Sequence, residues 1–251
     1  MKKLALFALT VIATATYAAS PVQPGAISIT GTSTQVASVS NGSSVTNTSN
    51  AGTYAAQNQA SNQGNITING TSNQTSNVIS SGVHNVGHNG GDVAVQSLAS
   101  NVGNVKITGT SNQKSDVANS TMTNEARGDG CDDCSTGTAT AYQNGATNFG
   151  DVTIGGTSNQ TLGVSGGSTV RNLADGGDAV AIQNLSSNYG KVTITGTSNQ
   201  TTWVASNSLV ANIAHGNGSA AYQNLASNDY CLPPPPICVG AACGPFSVAR
   251  R

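Results

Sequence analysis

The sequence predicts an all-β chain wound as a stacked, cross-β-like β-solenoid of about five imperfect repeats, each 39–47 residues long. Three observations carry that expectation. The first is recurrence at fixed spacing. The phrase GTSNQ begins at Gly70, Gly109, Gly156 and Gly196, and a near copy, GTSTQ, begins at Gly31. A second phrase, Ala/Ser-Ser/Thr-Asn, ends at Asn62, Asn101, Asn148, Asn188 and Asn228. A third marker is the glutamine at Gln57, Gln96, Gln143, Gln183 and Gln223. The first four of these each precede the Gln of the next GTSNQ by 17 residues. Spacing this regular marks a tandem array. The second observation is alternation: GNITING, GNVKITG, GDVTIGG and GKVTITG place branched apolar residues at every other position, as half-buried strands do. The third is composition. Ten aromatics in 251 residues cannot fill an ordinary globular core, so the apolar faces have to be buried by repeats stacked on one another.

The elements follow in chain order. Residues 1–19, with Lys2 and Lys3 ahead of an apolar run from Leu4 to Ala15 and small residues after it, read as a secretory signal cleaved after Ala18 or Ala19. That layout predicts bacterial export to the outside of the cell or its surface. Residues 20–25 form a short linker, and no later segment is apolar enough to span a bilayer. The array occupies 26–228. In each unit a first strand arm is expected near 65–69, 104–108, 151–154 and 191–194, with Val105, Ile107, Val152, Ile154, Val192 and Ile194 facing inward. Second arms are expected near 92–97, 139–144, 178–184 and 219–224. The stretch after each TSNQ reads as looser, with spaced apolar residues and Asn- and Gly-rich turns. The third unit is longer by an insertion around GDGCDDCS, which should bulge from a turn.

The polar phrases have a structural reading. Side-chain amides stacked at the strand spacing of about 4.8 Å can form ladders in which each layer bonds the next. The expected ladder residues are Gln74, Gln113, Gln160 and Gln200, then Gln96, Gln143, Gln183 and Gln223, and the asparagines at 62, 101, 148, 188 and 228. The array should end in residues 229–251, where CLPPPPICVG is rich in prolines that cannot donate to a strand ladder. Cys131, Cys134, Cys231, Cys238 and Cys243 are disulfide candidates. Cys131 and Cys134 would close the insertion, and the odd total leaves one thiol free or paired between molecules.

Charged residues make up 8% of the chain and the formal net charge is -1, which excludes the basic footprint of nucleic-acid binding. His84 and His88 read as turn histidines. CDDC lacks the further ligands of a zinc site, and Glu125, Asp129, Asp132 and Asp133 lack a calcium-loop pattern. Common hydrolase and nucleotide-binding motifs are missing, and repeats this uniform leave little room for a unique catalytic centre. Neither an enzyme, a cofactor nor a bound metal is expected.

Between Ala26 and Asn228 the array resembles the subunits of bacterial functional amyloids, the curli and Fap fibre families. The likeness rests on the signal peptide, on imperfect repeats rich in Gly, Asn, Gln, Ser and Ala, and on Gln and Asn at fixed places in alternating strands. One 39–40 residue period here would correspond to two strand-turn-strand rungs. The resemblance implies a secreted subunit that polymerises outside the cell into a biofilm or adhesive fibre, with export and nucleation partners. Two other readings come from the residues. A monomeric solenoid adhesin would show a column of exposed aromatics or charges through all units, and none runs through. An ice- or crystal-binding solenoid would show aligned threonines; Thr193, Thr195 and Thr197 alternate, but Ile66-Thr67-Ile68-Asn69 and Lys106-Ile107-Thr108 break the column.

Overall fold

The computed structural model describes residues 25–50, 54–88, 93–128, 139–176, 179–216 and 218–229. The signal segment, the linker up to residue 24, the tail from residue 230 and all five cysteines lie outside the described residues, as do Asp129, Asp132 and Asp133. Within them the chain is all-β without a helix, and it forms a parallel β-solenoid of five coils. Each coil has four straight sides rather than two arms, and in coils 4 and 5 the first side is split into two short strands, Asn148–Phe149 with Val152–Ile154 and Asn188–Tyr189 with Val192–Ile194. Coil 1 runs Ala26–Ile29, Thr32–Ser40, Ser44–Asn50 and Tyr54–Gln59, and coil 2 runs Asn62–Ile68, Thr71–Ile79, Gly82–His88 and Val93–Leu98. The same order repeats through coil 5, which ends at Leu225, and Asn228–Asp229 then begin a further layer on the first face.

Four parallel sheets result, here called faces I to IV in the order the chain visits them. Face I carries the first expected arms and face IV the second. Faces II and III were the looser stretch. Face II is formed by the GTSNQ segments themselves, in the longest strands of the molecule. Their apolar residues are few and small, so alternation there is carried by Ser and Gln pointing inward, and hydrophobic periodicity does not show it. Register is exact between repeats: Gln74, Gln113, Gln160 and Gln200 lie over one another, as do Gln96, Gln143, Gln183 and Gln223.

The interior is thin and layered. Val78, Val117 and Val164 of face II meet Val83, Met122 and Val170 of face III and Leu98 and Leu185 of face IV, all fully buried. Face I contributes its own column of Ile66, Ile68, Val105, Ile107, Val152 and Ile154. Val192 packs partly against this column, whereas Ile194 is 36% exposed because no complete coil covers it. Faces III and IV approach closely through alanines, including Ala94, Ala141, Ala181, Ala126 and Ala174. Small side chains bring the two sheets near enough for side-chain amides to span them.

Corners have distinct chemistry. Between faces IV and I the residue Ala60, Ala99, Ala146, Ser186 or Ala226 takes φ of 50–53°, a left-handed conformation unfavourable for a residue with a Cβ. The last four are held by backbone bonds to the layer before, from the N–H of Ala99, Ala146, Ser186 and Ala226 to the carbonyls of Gln59, Leu98, Gly145 and Leu185. This corner is re-entrant, so the outward side chains of faces IV and I meet. Asn58 donates to Gln63 at 2.7 Å, Tyr142 packs edge-on to Phe149, and Phe149 stacks on Tyr189. The insertion falls between Arg127 and Thr140 at the corner of faces III and IV. The strands on either side of it keep their register with the coils before and after.

His84 and His88 sit in a strand of face III, not in a turn. Val83, Asn85 and Gly87 take the inward positions, so the two histidines share the outward side.

Candidate functional site: amide ladders and open coil ends

The expected asparagine column is continuous. Asn62 donates through Nδ2 to Oδ1 of Asn101, Asn101 to Asn148, Asn148 to Asn188 and Asn188 to Asn228, at 2.7–2.9 Å. The spare N–H of Asn101, Asn148 and Asn188 goes to the hydroxyl of Ser111, Ser158 and Ser198. The face IV glutamines also form an unbroken ladder with the opposite sense: Gln96 donates to Gln57, Gln143 to Gln96, Gln183 to Gln143 and Gln223 to Gln183. Their second N–H reaches a face III carbonyl, at Thr123 for Gln96 and Arg171 for Gln143.

The glutamines of GTSNQ behave differently, which corrects the expectation of a ladder there. Gln74 donates to Gln35, but Gln113, Gln160 and Gln200 do not bond one another. They reach across the interior to the corner of faces IV and I, donating to the carbonyls of Thr147, Ser187 and Ser227. Gln74 does the same to Ser100. Each of these carbonyls also accepts a backbone N–H, from Asn62, Asn101, Asn148 or Asn188, so the glutamine adds a second bond to the corner.

Each letter of the phrase therefore has its own task. The Gly marks the corner of faces I and II, where layers approach so closely that a Cβ on Gly70, Gly109, Gly156 or Gly196 would lie 2.1 Å from the carbonyl oxygen of the preceding glycine. The Thr faces outward in an unbroken column, Thr32, Thr71, Thr110, Thr157 and Thr197, which corrects the expectation that no threonine column runs through the units. Ser111, Ser158 and Ser198 accept from the asparagine ladder, whereas the buried Ser72 Oγ has no partner among the described residues. The Asn forms a ladder on the outer surface, Asn112 to Asn73, Asn159 to Asn112 and Asn199 to Asn159, each at 2.8 Å. The Gln braces the opposite corner.

One ladder was not anticipated. Asn47, Asn85, Asn124, Asn172 and Asn212 of face III bond in series at 2.7–2.8 Å. Asn85, Asn124 and Asn172 are fully buried and also donate to face IV carbonyls. The signal was present: in coils 2, 4 and 5 the Asn lies 11 residues before the face IV Gln. The insertion disguises it in coil 3.

Among the described residues nothing completes a layer beyond either end of the stack. Ile154, Val164 and Leu185 are fully buried in coil 4, but their coil 5 counterparts Ile194, Val204 and Leu225 are 36%, 40% and 43% exposed. In coil 1, Ser33, Gln35, Val45 and Asn47 are half-buried where Ser72, Gln74, Val83 and Asn85 of coil 2 are buried, although Ile29 and Val39 stay covered. Ladder bonding stops at these ends. Among the described residues Asn47 Oδ1 accepts from no amide, and Asn212, which donates to two carbonyls, has no amide acceptor. Gln223 Oε1 and Asn199 Oδ1 likewise end their series as acceptors.

Among the described residues no group of three or more His, Cys, Asp or Glu could hold a metal, and no helix is long and apolar enough to cross a membrane. Glu125 is engaged by Arg127 at 2.9 Å and lies 3.8 Å from Arg171. No protein-family model, curated protein or solved structure matches the chain.

Proposed function

We propose that this chain is a secreted structural subunit that stacks on copies of itself into an extracellular, amyloid-like fibre serving adhesion or biofilm cohesion. The observation that carries the reading is the pair of open ends on an otherwise uniform stack. Among the described residues three amide series end in an oxygen that meets no amide, at Asn47, Gln223 and Asn199, and the apolar column of coil 5 stands partly in water. Both are satisfied by one more layer of the same kind. The work is mechanical, so the reading assigns no catalytic residue and no cofactor. Its partners are further copies, together with export and nucleation factors.

The test is polymerisation of the purified chain. A lag, seeding by fibre fragments, and diffraction at about 4.8 Å along the fibre axis are expected. A chain that stays monomeric at high concentration, unresponsive to seeds, overturns the proposal and leaves the monomeric solenoid adhesin in its place.

A further inference from the structure

We infer that copies join head to tail in unbroken register, coil 5 of one copy against coil 1 of the next, through a joint defined by Gly31 and by Trp203 with Val36. This rests on the fibre reading and adds which ends meet and what they touch.

Gly31 supplies the first observation. The later corner glycines are required by the layer before them, since a Cβ on any of them would strike that layer's backbone. A Cβ on Gly31 would meet nothing within 4 Å, and its φ is outside the left-handed range. Among the described residues nothing requires a glycine there. Continued stacking gives it one. With Gly196 of a preceding copy below it, Gly31 stands where Gly70 stands above Gly31, and only glycine fits.

The outer surface of face II supplies the second. The column Ser38, Asn77, Asp116, Gly163 and Trp203 is polar or small until coil 5. There the chain's single tryptophan lies against Gly163, its Cε3 3.8 Å from where a Cβ would be, and stays 57% exposed. Val36 of coil 1 is 65% exposed on the same outward surface, and with Trp203 it is one of the two most exposed large apolar side chains among the described residues. One lies on each end coil. In a continued register Ser38 of the next copy follows Trp203 in its column, so the indole has a small neighbour on both sides. Val36 of that copy is then the diagonal neighbour, about 8 Å away for layers about 4.8 Å apart and a rise of about 3.3 Å per residue, within reach of an aromatic ring.

Three variants test the joint: Gly31→Ala, Val36→Lys and Trp203→Lys. Each changes an exposed or unobstructed position, so each monomer should keep the wild-type circular dichroism and melting curve. Elongation should fall by about tenfold or more in all three, as expected for central contacts of an interface. Wild-type tryptophan emission should move to shorter wavelength as fibres grow. Mixed in equal amounts, Val36→Lys and Trp203→Lys should form dimers and stop, because each retains one competent end. Fibres from Gly31→Ala at the wild-type rate with unchanged tryptophan emission overturn the joint and leave the fibre reading standing. Dimers of Val36→Lys alone indicate joining of like ends and also overturn it. Failure of the wild type to polymerise removes the fibre reading and the joint with it.

Discussion

Asn124 shows how much one polar side chain carries in a core this thin. It accepts from Asn85, donates to Asn172, and bonds the carbonyls of Ala94 and Tyr142, all away from water. Replacement by alanine leaves the buried Asn172 Oδ1 without its donor, takes one acceptor from Asn85, removes the bonds shared with two inner carbonyls and opens a cavity, at about 1–3 kcal/mol for each buried group left unmet. We expect Asn124→Ala to lower the unfolding free energy by at least about 3 kcal/mol, measured by urea denaturation. Gly109→Ala tests the corner. Its Cβ would sit 2.1 Å from the Gly70 carbonyl oxygen, so the layers must part, and a loss of about 3 kcal/mol is expected. The same measurement on Gly31→Ala should show no change, although both residues open the same five-letter phrase.

At the scale of elements, strands whose alternation is apolar could be read from the sequence, and those built on polar alternation could not. Face I and face IV strands lie within a few residues of their expected positions, face I because Val and Ile mark every second residue and face IV because small or branched apolar residues lead up to a Gln that recurs in every repeat. In TSNQTLGV the inward set is Ser, Gln, Leu and Val, half of it polar, and nothing in its hydropathy separates it from a loop. The asparagine and face IV glutamine columns were legible because identical amides recur at the period. The role of the GTSNQ glutamine was not, since it depends on a left-handed corner that alanine does not announce. The strands before and after the insertion, Thr121–Arg127 and Thr140–Gly145, keep register with the coils on both sides. Deleting residues 128–135 should leave the β-rich circular dichroism intact and move the unfolding midpoint only slightly, because shortening a connection between strands changes closure entropy by well under about 1 kcal/mol. A chain left unfolded by that deletion would show that the segment supports the stack.

For the whole molecule, coils interact almost entirely with their neighbours, so stability should be close to a sum over layers. Removing one full period, residues 62–100, joins coil 1 to coil 3 with every ladder still in phase. We expect a folded four-coil protein with a lower unfolding midpoint. Removing residues 62–81 instead cuts half a coil, puts the faces out of phase, and should abolish cooperative unfolding. Because the stacking groups are uncharged amides and the formal net charge is only -1, assembly should vary by less than about threefold between roughly 0.01 and 1 M salt. The opposed senses of the ladders carry a further consequence. The series that begin at Asn47 and Asn62 donate toward coil 5, whereas the face IV glutamines and the outer asparagines donate toward coil 1. Each end is therefore a mosaic of givers and takers. A newcomer arriving inverted or rotated would set like against like at several places, with about 1–3 kcal/mol lost at each buried mismatch. In the proposed fibre such a newcomer would leave before the next could trap it, and the growing tip would correct its own errors and extend with one fixed polarity.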